Sequence, residues 1–376
     1  MAKYRAGIIG FAHMHVNDVA LHYAEHPDIE WVACADTQPA RPGRVPDAPY
    51  TRTWNLQHAL DDLGVPKAYD DYHEMLDEET FDVIIVQSEN AQHADIVEAC
   101  AAHGVKLCQV EKPMADTLSN ALRMVRATQA AGTELAINWP TTWSPVERKA
   151  KELLDEGIIG RILQFKLRKG HTGPLGPGAM HAGVSEVADS VSGPARGATW
   201  WHQTDTGGGA MLDYCCYGAM VARWMIGEQA TAAMGVKANL DSHWGDADDN
   251  AMMMVRFPAA FALFEASWTT WDHGVPTGPI LYGTKGTMVV EGKGDSSVVR
   301  VERGHGNTEV YEPDPLPEGR EDIAKELVHH FETGDPLHRT LEMLFNLEAM
   351  AILDAGYRSA STEKLELVDN ATWCIG

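Results

Sequence analysis

Residues 108–115 read CQVEKPMA. The run from Lys106 to Glu111 reads as a buried parallel strand, and Lys112-Pro113 follows at its carboxyl end, the edge where open α/β sheets bind ligands. An ammonium held there by Pro113 can reach a reacting centre.

Working outward, further strands are expected at Arg5 to Gly10, Glu30 to Asp36, Val83 to Ser88 and Glu134 to Asn138. Between them, Ala91 to His103 and Leu118 to Ala131 repeat apolar residues at three and four, the helical period. Thr117 is positioned to cap the second of these helices, and Gly104 and Gly132 follow helices where a left-handed residue is wanted. Alternating strand and helix up to residue 138 predicts an α/β domain with a doubly wound parallel sheet.

The first strand runs into GIIGFAHMH, residues 7–15. In a dinucleotide-binding turn three small residues make the bend, admit the pyrophosphate and let helix pack on strand. Gly10, Ala12 and His15 hold those places, so the third departs from the pattern. Asp36 ends the next strand, where a carboxylate accepts hydrogen bonds from an adenosine ribose and repels a 2′-phosphate. Gly10, Phe11, Ala12, His13, Met14 and Asp36 are therefore cofactor-binding candidates, with NAD favoured over NADP. His13 and His15 have no third metal ligand nearby in sequence, and no metal is expected.

From residue 139 to 376 the texture changes to consecutive strands with tight turns, which predicts an antiparallel sheet and a second domain. Met252 to Met254 reads as a buried strand segment and Asp246 to Asp249 as a solvated turn. The Gly/Pro-rich segment from Lys169 to Arg196 reads as a lid or binding loop. Two helices, near Glu321 to Thr333 and Thr340 to Ser361, close the chain and are free to pack back on the first domain.

The chain has 376 residues, enough for two cores, and its 54 acidic against 30 basic side chains give a net charge of −24. Such a field repels phosphate backbones and anionic lipid, so neither nucleic acid nor membrane is an expected partner. The first residues lack a signal-peptide pattern, and a cytoplasmic location is expected. Six cysteines without paired spacing read as reduced core residues.

Glu111-Lys112-Pro113, following DVIIVQSENAQHADIVEACAAHG (residues 82–104), resembles the signature of the Gfo/Idh/MocA family, the glucose-fructose oxidoreductase and inositol dehydrogenase group. The likeness continues through ELLDEGIIGRI (152–162), GGGAMLDYCCYGAMVARWMIG (207–227) and YGTKGTMVVEG (282–292). It implies an N-terminal Rossmann domain binding NAD(P) and a C-terminal α/β domain with a large, mostly antiparallel open sheet. The active site would lie between them, and a sheet face would pair subunits into a homodimer or homotetramer.

The resemblance also implies roles. Many relatives carry aspartate, three residues, then histidine; here the places hold Asp213 and Tyr217, similar to the branch that carries tyrosine. Lys112 would polarise and orient a substrate hydroxyl, Tyr217 would exchange its proton, and Asp213 would orient the sugar or Lys112. A free phenol titrates near ~10, so Tyr217 needs a nearby cation to act as base, and Lys112 is the candidate. Ser88, Asn90, His93, Glu111, Lys112 and Asn138 would line the cofactor, with Glu89 standing where relatives carry a small residue or proline.

Aromatic faces with interspersed hydrogen-bonding groups suit a sugar ring. His171, His181, Trp201 and His273 join Lys112, Asp213 and Tyr217 as substrate-binding candidates, beside Trp200, His202, Trp268, Trp271 and Asp272. The expected activity is NAD-dependent hydride transfer to or from a sugar or polyol hydroxyl. Two alternatives stay open: transient oxidation that cleaves a glycosidic bond with no net cofactor turnover, and a non-catalytic NAD-binding regulator.

Overall fold

A computed structural model of the chain describes residues 3–37, 48–177, 179–187, 191–270, 277–292 and 296–370. Trp271, Asp272, His273 and Cys374 lie outside the described residues.

The first sheet contains β1 (Tyr4–Ile9), β2 (Ile29–Ala35), β3 (Ala68–Tyr69), β4 (Val83–Val86), β5 (Leu107–Glu111) and β6 (Glu134–Asn138). All pair in parallel, in the order β3-β2-β1-β4-β5-β6. Every residue of β4 and β5 is buried, as a sheet covered on both faces requires. The cover comes from α1 (Val16–Glu25), α2 (Arg52–Asp61), α3 (Tyr72–Glu78), α4 (His93–Ala102) and α5 (Leu118–Ala131). Thr117 caps α5 by accepting the Asn120 N–H at 3.2 Å, and Gly132 closes it at φ 74°. The strand order reverses between β1 and β4, which opens the ligand crevice at their carboxyl ends.

After α6 (Pro145–Asp155) comes a nine-stranded sheet: β7 (Ile162–Gly170), β8 (Ala232–Ala238), β9 (Asn250–Arg256), β10 (Phe261–Ser267), β11 (Ile280–Gly283), β12 (Thr287–Glu291), β13 (Val298–Glu302), β14 (Thr308–Tyr311) and β15 (Glu366–Leu367). Its order is β14-β13-β12-β11-β7-β10-β9-β8-β15, antiparallel except where β7 pairs β10. The short α7 (Gly193–Gly197) lies in the long loop after β7; α8 (Cys216–Ile226), α9 (Ile323–Thr333) and α10 (Met343–Thr362) complete the helices. Helices α8 and α10 cover one sheet face. Gly218 permits the close approach of α8, since a Cβ there would stand 2.2 Å from Phe264 Cγ.

The closing helices do fold back on the first sheet. Ile323, Ala324 and Leu327 of α9 join Ile8 and Val19 in one core, and Asn346 of α10 accepts the Trp139 indole N–H at 2.7 Å.

Two sequence expectations are corrected here. Met253 is buried, but Met252 and Met254 are 50% and 57% exposed, because β9 alternates and, among the described residues, its second face has no covering layer. Asp248 and Asp249 are buried rather than solvated: Asp248 accepts the Met211 N–H, and Asp249 accepts those of Leu240, Asp241 and Ser242. The five described cysteines are free and buried, and among the described residues no helix is long and apolar enough to cross a membrane.

Candidate active site

The carboxyl ends of β1, β4, β5 and β6 face the start of α8. At the first of them Gly10 adopts φ 90°, and a Cβ on it would fall 2.6 Å from the Ser88 backbone nitrogen, so only glycine lets β1 turn against β4 here. Phe11 N–H donates to Asp36 Oδ1 at 3.0 Å, and the Ala12 carbonyl accepts the Trp200 indole at 2.9 Å. The turn is thus tied to both domains.

At the β2 end, Asp36 Oδ1 takes the N–H groups of Phe11 and Thr37 and the Arg52 guanidinium. Arg52 reaches on to Glu89, whose carboxylate also accepts Thr37 Oγ1 at 3.2 Å and Gln92 Nε2 at 3.1 Å. Glu89, unassigned from sequence, therefore clasps the β2 and β4 ends through Arg52. Sequence reasoning missed Arg52, for which no local signal exists.

Beside the turn stand three histidines. His15 Nδ1 is 2.8 Å from Glu111 Oε1, His13 Nδ1 accepts the His15 N–H at 3.2 Å, and His181 packs 5.9 Å from the His15 ring. Glu111 of β5 brings a third potential ligand within 4.8 Å of His13 and His15, which spacing along the chain did not reveal. His15 Nδ1 and Glu111 Oε1 already bond one another, and His13 Nδ1 is taken by the His15 N–H. Burial pushes His13 well down and His181 down to about 3, with neighbouring histidines adding to both, so both are neutral near pH 7.

His93 donates through Nδ1 to the Met114 carbonyl at 3.2 Å, leaving Nε2 buried without a partner; Glu111 Oε2 and Asn90 Oδ1 are likewise buried and unpartnered. Asn90 Nδ2 bonds the Gly207 carbonyl, and Ser88 Oγ bonds the Glu89 carbonyl. Asn138 accepts the Trp143 indole and lines, with His15 and His181, a cavity of about 170 Å³. Buried unpartnered polar atoms carry a penalty that a bound polar group relieves.

The candidate reacting centre is built on a π-helical turn, Met211–Cys215, that leads into α8. Asp248, paired with Lys237 at 3.2 Å, fixes the turn through Met211. Lys112, 2% exposed, directs Nζ to Asp213 Oδ1 at 2.7 Å and to the Asp213 carbonyl at 3.2 Å. Trp268 donates to the other carboxylate oxygen at 3.1 Å. The same ammonium stands 4.8 Å over the Tyr217 ring, and Lys169, not foreseen from sequence, stands 5.3 Å from it.

Burial would lower the Lys112 ammonium and raise the Asp213 carboxyl, but their mutual attraction reverses both shifts and the pair stays charged. Tyr217 behaves otherwise. Its burial pushes the phenol well up, and Lys112, engaged with Asp213 and standing over the ring, offsets only part of this. The expectation that Lys112 brings Tyr217 down to working pH is corrected by that geometry.

Of the remaining candidates, Met14 is buried on the turn, Trp201 packs on Trp200 and His13, and His171 meets the Tyr214 ring edge-on at 5.3 Å.

Residues 4–138 match the family described as "Oxidoreductase family, NAD-binding Rossmann fold", and residues 148–289 match the "GFO/IDH/MocA C-terminal domain". The chain is 27% identical over 216 residues to the D-xylose 1-dehydrogenase [NADP(+)] of Haloarcula marismortui, spanning 56% of this chain and 53% of that protein. It is 26% identical over 250 residues to the myo-inositol 2-dehydrogenase of Thermotoga maritima, spanning 65% and 66%. The matches thus take in between half and two thirds of these relatives' lengths. The aldose-aldose oxidoreductase from Caulobacter crescentus complexed with glycerol superposes with a TM-score of 0.73 at 20% identity, over 97% of this chain and 99% of that one. With both sheets, both domain matches and the Glu111-Lys112-Pro113 turn in agreement, the chain belongs to the GFO/IDH/MocA family.

Proposed function

We propose that this chain is an NAD-dependent oxidoreductase that moves hydride between the nicotinamide and a hydroxyl of a sugar, polyol or sugar derivative. The observation that carries the reading is the convergence of Lys112, Asp213 and Tyr217 at the carboxyl edge of a dinucleotide-type sheet. The relatives, named as dehydrogenases of xylose and of myo-inositol, support the substrate class.

The residues present fit a dinucleotide. The turn at Gly10 has no room for a Cβ, and the unpartnered His93 Nε2, Glu111 Oε2 and Asn90 Oδ1 offer polar contacts along the β4 and β5 ends. Among the described residues Asp36 accepts hydrogen bonds through Oδ1, and Oδ2 would serve a ribose hydroxyl. Among the described residues of that edge, Arg52 is shared by two carboxylates and their charges sum to a negative value, which supports NAD over NADP. Bound NAD supplies the hydride acceptor.

The chain's own part is proton transfer and orientation. Lys112 donates to the substrate oxygen, Asp213 keeps that ammonium charged and aimed, and the Tyr217 hydroxyl donates a proton when a carbonyl is reduced and accepts one when an alcohol is oxidised. His171 and His181 border the substrate side. We place the domain division at 138/139. The bare face of the second sheet, with Met234, Met252, Met254 and Phe261 exposed, suits pairing with a second copy.

The test is absorbance in the NADH band while the protein meets NAD and a panel of aldoses, polyols and glycosides. A rising signal with a sugar or polyol is expected; no signal and no product across the panel would end the reading.

A further inference from the structure

At the end of α8 remote from Tyr217, α8, α6 and the residues leading into α10 enclose a second cavity of about 420 Å³. Four of its lining side chains are cationic: Arg148, Lys151, Arg223 and Arg339. In a chain of net charge −24 such a concentration needs a reason.

Two of the cations are accounted for. Lys151 pairs with Asp155 one turn along α6, and Arg223 engages Glu348 through Nε. The other two are not. Arg148 spends Nε on the Thr142 carbonyl at 2.8 Å, and its second terminal nitrogen is buried with no hydrogen-bond partner. Arg339 forms no ion pair among the described residues, and its guanidinium lies 5.6 Å from the Phe345 ring centroid. A guanidinium nitrogen buried without an acceptor is costly, and the cost falls when an anion supplies one.

The rest of the lining suits an anion. His338 is held neutral, its imidazole lowered to about 4 by burial and by the Arg148 charge, so it adds a polar group without repelling the guanidinium groups. Trp224, with its ring 5.6 Å from His338, offers an apolar wall for the body of a ligand. The three guanidinium groups come from three elements, Arg148 from α6, Arg223 from α8 and Arg339 from the turn before α10. A phosphoryl group presents three terminal oxygens about an axis and meets donors arriving from several directions, whereas a carboxylate presents two in one plane.

We propose that this cavity binds the phosphoryl dianion of a small phosphate, apart from the cofactor cleft. The volume exceeds what one phosphate ion fills, which points to a phosphorylated organic molecule as the source.

The test is isothermal titration of the full chain with inorganic phosphate and with glucose 6-phosphate, NAD being present throughout to fill the cleft. Saturable binding is expected, weakened at least about tenfold by Arg339→Gln, as the loss of a charge-assisted contact implies. Arg339 is exposed, so that variant keeps its fold; Arg148→Gln, in a more buried setting, gives a second reading with circular dichroism as the check on folding. Tighter binding of glucose 6-phosphate than of phosphate identifies an organic ligand, and the reverse order identifies the free ion. Absence of saturable binding, or binding unchanged in Arg339→Gln and in folded Arg148→Gln, overturns the proposal.

Discussion

The two ends of the cleft handle charge in different ways. At the β2 end Asp36, Arg52 and Glu89 form a chain of ion pairs, with Glu89 buried and Asp36 and Arg52 about a fifth exposed. At the β5 end Lys112 is buried and its partner Asp213 is 16% exposed, beside a buried phenol and several buried polar atoms with no partner. A partly solvated network sums to a charge and so discriminates among ligands, but water and salt screen each member. In the buried group each protonation state depends on its neighbours, so one substitution there alters the whole site.

The largest effect should follow Lys112→Met. It removes the ammonium proposed to meet the substrate and leaves Asp213, largely buried, without its cation, and breaking such a pair typically costs about 3–5 kcal/mol. We expect activity to fall by roughly a thousandfold or more, the upper part of the range for a positioned acid or base, and denaturant unfolding to register the lost pair. A midpoint unchanged from the parent would show the ion pair to be worth nothing to the fold and erase the contrast between the two ends.

Tyr217→Phe comes next. It should lower the rate by about a hundredfold or more while leaving NAD binding intact, as removal of a general acid or base does. If full activity remains, His181 and His171 are the next proton carriers to test. The sign of the phenol's shift gives a further expectation. With its pKa raised, Tyr217 is protonated at neutral pH, ready to donate in carbonyl reduction and scarce as a base in alcohol oxidation. Oxidation measured as kcat/KM should therefore climb about tenfold per pH unit from 7 to 9, while reduction stays level. A plateau in oxidation near neutrality would mean a base other than Tyr217.

The reacting end was the more legible in the sequence, because its parts sit on local motifs: Lys112 after a strand, Asp213 and Tyr217 on one helical start. What local pattern could not give was the competition between them, since burial of Tyr217 and the hold of Asp213 on Lys112 depend on the domains closing together. The β2 end showed Asp36 and no more, as Arg52 and Glu89 meet it across the sheet edge. The same limit applies to the second sheet. Apolar residues on both sides of β9 read as burial, whereas in the fold one side has no covering layer among the described residues. Asp248 and Asp249 read as solvent-facing because the amides they accept come from segments that sequence does not bring together.

The β2 end should yield smaller changes, and in the ligand rather than the rate. Asp36→Ala removes the proposed acceptor for the ribose and one of the two carboxylates holding Arg52, so discrimination against NADP should fall by up to about a hundredfold, the worth of one or two charge-assisted hydrogen bonds. Glu89→Gln isolates the second carboxylate. Asp36 keeps its free oxygen for the ribose, but Arg52 loses one of its two anionic partners and gains freedom to meet a 2′-phosphate. The expected shift toward NADP is about tenfold, smaller because Asp36 still repels the phosphate and the edge is partly solvated. Fluorescence titration with NADH and NADPH at low and high salt reads it without a substrate. The shift should shrink as salt rises; a ratio that does not move at low salt would leave Glu89 a structural clasp and assign the choice of dinucleotide to Asp36 alone.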